Sequence, residues 1–292
     1  MGSKQVAGSG KQEAGSREQE ASMKFAICNE LFENWAFDRV CGFCKEVGYD
    51  GLELAPFTLA PVITDLSAAE RAALRAQASD AGIAIIGLHW LLAGTSGLHL
   101  TSPDPAVRAR TAEYLVALAE ATRDLGGDLM VFGSPKQRSL MPGVSWPEAF
   151  DHATDTFRQA IGRVADAGVS ICMEPLAPVE TDFINTCEEG VRLIDAVGHP
   201  NFVLHLDVKA MSSEERPITD LIRSYVPRTG HFHANDPNRR GPGFGDVDFV
   251  PIFRALQESG YDRWVSVEVF DYSPDAETVA QQSLSNMRKA LS

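Results

Sequence analysis

The chain has no apolar run of about 18 residues, the least that a membrane-crossing helix needs, and its mean hydropathy is −0.12. No membrane segment is expected. Positive charge is scarce: 26 Lys and Arg stand against 40 Asp and Glu, a formal charge of −14. Surfaces that hold nucleic acid or anionic lipid are basic, so neither is an expected partner. The five cysteines are an odd number, scattered along the 292 residues. That suits reduced thiols in a cytoplasm better than a disulfide framework. Cys41 and Cys44 have redox-motif spacing, but they fall in a helical pattern with no second pair. They read as core or surface thiols.

Residues 1–22 are Gly, Ser, Gln, Glu and Lys with almost nothing apolar, and lack the hydrophobic centre of a signal peptide. They read as a flexible tail or added leader, ahead of what looks like a second beginning at Met23. From there a strand–helix alternation runs to the end. Apolar strands are expected at Lys24–Cys28, Gly51–Leu54, Ile83–His89, Asp128–Phe132, Val169–Glu174, Phe202–Asp207, Gly230–His233 and Trp264–Glu268. Amphipathic helices fill the spaces between them. One opens on the capping-box pair Ser67 and Glu70, another on Asp104 followed by Pro105. Eight such units in residues 23–292 are the count that closes a single (β/α)8 barrel. No Gly-x-Gly-x-x-Gly follows the first strand, which weakens the competing doubly wound sheet.

The late strands end in charge. Strand five closes on Glu174, six on Asp207, seven on His233 and eight on Glu268. A buried carboxylate without a partner is costly, and in a barrel these ends converge at one rim. Three carboxylates and an imidazole there would be relieved by a divalent cation. Three oxygens and one nitrogen favour Mn²⁺, with Mg²⁺ or Co²⁺ as alternatives, over a thiolate-rich zinc site. Beside a polarised carbonyl, Glu174 and Glu268 could move a proton from one face of a carbon to the other. The same parts serve elimination if a leaving group lies β to the carbanion.

These residues look like a known family. Met173-Glu174-Pro175, Leu206-Asp207-Val208-Lys209-Ala210-Met211, His231-Phe232-His233 with the loop through Gly245, and Val267-Glu268 resemble the xylose isomerase-like TIM-barrel superfamily. The likeness is greatest to its sugar phosphate isomerase/epimerase group, which contains the D-tagatose and D-psicose 3-epimerases. It implies a keto-sugar or related carbohydrate substrate, one metal held by Glu174, Asp207, His233 and Glu268, and an acid/base pair in the two glutamates. It also implies substrate contacts from Glu180 and Arg239, and relatives of this kind often form homo-oligomers. One position departs: Ala210 stands where the ketose 3-epimerases usually have a substrate-binding histidine.

His89 and Lys136 are candidates for replacement contacts. Lys136 and Arg138 could select an anion, although a solvated loop pair is the plainer reading. A metal-dependent lyase or dehydratase acting on a keto acid or 3-keto-glycoside is the alternative function. An apurinic-site endonuclease on the same barrel is disfavoured by the negative charge and by only seven histidines. His205 and His231 point to the interior one step below the rim. The first reads as a core histidine and the second as support for a metal ligand.

Overall fold

The computed structural model describes Gly2 and residues 23–292, so the expected tail at 1–22 lies, Gly2 apart, outside the described residues. Eight parallel strands close into a barrel in chain order: β1 Lys24–Cys28, β2 Gly51–Leu54, β3 Ala84–Leu88, β4 Leu129–Phe132, β5 Ser170–Met173, β6 Phe202–Asp207, β7 Thr229–Ala234 and β8 Trp264–Val267. Closure is direct, with Phe25 of β1 opposite Val265 of β8. Outside run α1 Phe37–Val47, α2 Ala68–Ala81, α3 Pro105–Leu125, α4 Trp146–Asp166, α5 Cys187–Val197, α6 Val208–Met211, α7 Ile218–Tyr225, α8 Phe249–Glu258 and α9 Ala276–Leu291.

The helix starts follow local chemistry. Ser67 Oγ accepts from Glu70 N while Glu70 accepts from Ser67 N, and Ser145 and Glu148 repeat that reciprocal cap on α4. Asp104 caps α3 with Pro105 at its first position. The four-residue α6 was not expected from sequence, since it is too short to show a period. Asp207 makes it, by accepting from Ala210 N. Among the described residues no helix is long and apolar enough to cross a membrane. All five cysteines are buried and unpaired, Cys41 and Cys44 included.

Strand side chains alternate, and here the alternation stacks three kinds of layer inside the barrel. The floor is apolar, formed by Ala26, Ile86, Leu129, Val131 and Cys172 with Val203 and Trp264 packed on them. Above it lie His205, His231 and Glu53, fully buried. The rim carries Glu174, Asp207, His233 and Glu268, each at least nine-tenths buried. The opposite strand faces (Ile27, Leu52, Leu204, Phe232, Val265) pack outward on the helices. The ladder is regular except at two steps, between Leu52 and Glu53 and between Leu204 and His205. The extra residues are Ile86 on β3 and Gly230 on β7, so β2 and β6 keep their alternation and carry Glu53, His205 and Asp207 inward.

Candidate metal and acid–base site

At the rim His233 is the centre. Its Nδ1 lies 3.3 Å from Glu268 Oε2 and 3.9 Å from Asp207 Oδ2. Its Nε2 donates to Glu53 at 3.1 Å, and His231 Nε2 donates to the same carboxylate at 2.8 Å. Glu53 thus takes the far-side protons of two imidazoles and leaves His233 Nδ1 turned to the rim carboxylates. Asp207 is fixed from two sides: Oδ1 accepts from Ala210 N of α6 at 2.6 Å and Oδ2 from Asn235 Nδ2 just after β7. Glu174 stands within reach of the imidazole below, 4.0 Å from His205 Nε2. One ligand atom from each of Glu174, His205, Asp207 and His233 lies within 4.8 Å of the other three.

Protonation follows from these neighbours. Burial, with the charges of Glu268 and Asp207, pushes Glu174 well above the usual carboxylate range. Burial would also raise Glu268, but the His233 charge outweighs it and holds the group low. Burial raises Asp207 against the opposing pull of Lys209, with Glu268 adding to the rise. Burial works against ionisation of Glu53 too, yet His233 and His231 hold it well below its ordinary value. His233 resists the burial that would lower it, because Glu53 and Glu268 hold it well above the usual histidine value. His205 is pushed well down by burial and by the neighbouring imidazoles.

The donors at the rim suit a cation. His233 Nδ1 is buried without a hydrogen-bond partner among the described residues, beside carboxylates whose joint ionisation an added positive charge would favour. The donor set of three carboxylates and an imidazole fits a hard or borderline divalent ion. A gap of about 40 Å³ opens on this point, lined by Glu174, Glu268, His89, Glu180 and Lys209 among others. That is room for a water or small ion rather than a ligand. An outer cleft of about 530 Å³ shares Trp90, Glu180, Lys209 and Phe270 with it, and falls in the size range of small-molecule sites. Trp90, Ser134 and Arg239 hold φ of 53°, 45° and 71° in the loops above, conformations that non-glycine residues rarely keep outside functional sites.

The remaining expected residues are spread around these spaces. Glu180 Oε2 accepts from Lys209 Nζ at 2.7 Å, and both side chains line the inner gap and the outer cleft. Arg239 is exposed, over the Phe270 ring at 5.6 Å, and lines the outer cleft. His89 is buried and donates from Nε2 to Glu30 Oε2 at 2.9 Å. Lys136 is exposed on the turn after β4 and lines neither space.

Arg138 differs from the solvated residue expected. It is completely buried, donating to the carbonyls of Glu174 at 2.5 Å, Ile184 at 2.7 Å and Gly133 at 3.3 Å. Burial pulls its guanidinium down to about 10, so it stays charged. Truncation would leave the carbonyls of Gly133 and Glu174 without this donor, while that of Ile184 keeps Leu176 N at 3.2 Å, and Arg138→Ala is expected to lower stability by about 3 kcal/mol. A urea midpoint unchanged from the parent would contradict that. Gly133 completes this corner, because a Cβ there would collide with Glu174 Oε2.

Glu53 escaped the sequence reading, although strand two, like strands five to eight, carries a carboxylate near its end. Glu30 and Lys209 were expected only as a substrate contact and as an ion-pair partner of the rim carboxylates.

The sequence matches the family model described as a xylose isomerase-like TIM barrel over residues 41–290. It is 32% identical to a D-psicose 3-epimerase of Ruminiclostridium cellulolyticum, over 77% of this chain and 75% of that one. An L-ribulose 3-epimerase of Mesorhizobium japonicum is 28% identical over 80% and 75%. Among solved structures, D-psicose 3-epimerase with D-tagatose from Clostridium cellulolyticum H10 superposes with a TM-score of 0.82. That match has 24% identity and covers 92% of this chain and 99% of the other; at such identity it bears on the fold.

Proposed function

The chain belongs to the xylose isomerase-like TIM barrel family, and we propose that it is a divalent-metal-dependent isomerase or epimerase of a keto-sugar or related carbonyl carbohydrate. The observation that carries this reading is the pair Glu174 and Glu268. They lie at the ends of β5 and β8 and line one gap, so two carboxylates reach one bound substrate and can take a proton from one side of a carbon and return one to the other.

Glu174, Asp207, Glu268 and the bare Nδ1 of His233 are the residues that would hold the cation, with Mn²⁺ the expected ion and Mg²⁺ or Co²⁺ as alternatives. When bound, such an ion polarises the substrate carbonyl and acidifies the adjacent C–H. Glu268 then takes that proton into its carboxylate. Glu174 gives its own proton to the opposite face of the same carbon, or to the neighbouring carbon in an isomerisation. One proton leaves the substrate and one enters, so the substrate keeps its composition. Lys209 and Glu180, paired at the mouth of the gap, are placed to bond sugar hydroxyls, and Trp90 and Phe270 offer faces for the ring. Ala210 lends no polar group, so the hydroxyl that a histidine would bind there is left to other contacts. The buried, unpaired cysteines support the cytoplasmic setting expected from sequence.

Proton NMR of the Mn²⁺-loaded protein in D₂O, with a panel of ketoses and 3-keto-glycosides, tests the reading. The expected result is deuterium entering a single carbon next to a carbonyl, with an isomer appearing. Loss of water or of an aglycone would establish a lyase instead. No exchange with any member would overturn the sugar reading.

A further inference from the structure

His205 is unexplained by that chemistry. It is completely buried, and neither ring nitrogen has a hydrogen-bond partner among the described residues. A histidine kept only for packing normally finds at least one partner for its two nitrogens. Its surroundings do not resemble those of a packing residue either. Its ring meets His233 edge-on at 4.2 Å between centroids and His231 at 5.3 Å. Nε2 points to Glu174 Oε1 at 4.0 Å. The strand ladder slips by one residue beside it, and the extra residue, Gly230, is on β7, so β6 keeps its alternation and His205 faces inward with Asp207.

We propose that His205 is an additional ligand of the cation held by Glu174, Asp207, His233 and Glu268. The inference rests on the metal-site reading above and adds a residue that this reading does not need. Its carrying observation is the clustering of one donor atom each from Glu174, His205, Asp207 and His233 within 4.8 Å of one another. A central ion at ordinary coordination distances of about 2.0–2.3 Å fits among donors so spaced. A second imidazole changes the donor set from one nitrogen to two. Imidazole nitrogen suits Co²⁺, Ni²⁺ and Zn²⁺, while Mg²⁺ prefers oxygen and water. His205 therefore sets metal choice, favouring ions that accept nitrogen.

The test uses the full chain loaded with Mn²⁺ alone and reads ligand nitrogens by electron spin-echo modulation. Two coupled imidazole nitrogens are expected, and one in His205→Leu. In chelator competition, His205→Leu should weaken Co²⁺ by about tenfold or more and leave Mg²⁺ nearly unchanged. A single coupled nitrogen in the parent protein overturns the inference while the four-residue site stands, and needs no variant to fold. Equal losses for Co²⁺ and Mg²⁺ overturn it as well. If Mn²⁺ does not bind at all, this inference and the metal-dependent reading fall together.

Discussion

Glu174→Gln and Glu268→Gln are each expected to abolish net epimerisation, by about 10²–10⁴-fold, the usual worth of a positioned acid or base. Glutamine keeps the shape and one acceptor oxygen of the side chain but cannot carry a proton back and forth. Both residues are also expected ligands, so the assay belongs at saturating Mn²⁺. The informative outcome is what survives. With Glu268 left as the only base, Glu174→Gln should still draw a proton from the epimer that Glu268 faces and return deuterium from D₂O to the same side. That gives exchange without inversion. Glu268→Gln should show the complementary behaviour with the other epimer. Either variant epimerising within tenfold of the parent would remove that residue from proton transfer.

Replacing Glu53 by Ala should be the costliest change of stability in the barrel interior. Its carboxylate is fully buried and accepts from both His231 and His233. Removing one partner of a buried charged cluster costs about 3–5 kcal/mol, readable as a shift of the urea midpoint of the metal-free protein. The pH dependence has a definite sign. Glu53 is held below its ordinary value, so its stabilisation is present above about pH 4.3 and lost as pH falls through its folded value. His233 is held above its ordinary value, so its share is complete below about pH 6.5 and lost as pH rises through its folded value. The gap between parent and variant should be widest between those limits and narrow on either side. A gap that stays flat with pH would mean the pair is not charged.

The sequence made the barrel legible because each strand is a short apolar run and each helix carries its own start and stop residues. Ser67 with Glu70, Asp104 with Pro105, and the glycines that close the helices are local signals that packing did not override. The rim was legible for a related reason: a charge that ends an apolar strand has nowhere to go except the barrel mouth. Glu53 was harder to read. Gly-Leu-Glu-Leu looks like an ordinary alternation, and its partners lie 178 and 180 residues away. Arg138 failed for the opposite reason. An arginine in a polar loop reads as solvated, and only the tertiary approach of three carbonyls buries it. The short helix after Asp207 was invisible because one capping carboxylate, not a hydrophobic period, makes it.

Arg138 also divides the barrel mouth into unequal halves for anyone wishing to redesign it. Its guanidinium rivets the loop after β4 to the chain beyond β5 through Gly133, Glu174 and Ile184. Grafting foreign loops at those two positions would cut the rivet and move the Glu174 backbone with it. Among the described residues, the segments after β1 and β2 have no such tie to Glu174. They surround a separate recess of about 710 Å³ that includes Phe32, Trp35, Phe57 and Tyr272. Loop libraries aimed at a new substrate are best confined to that side, where sequence can vary without disturbing the acid.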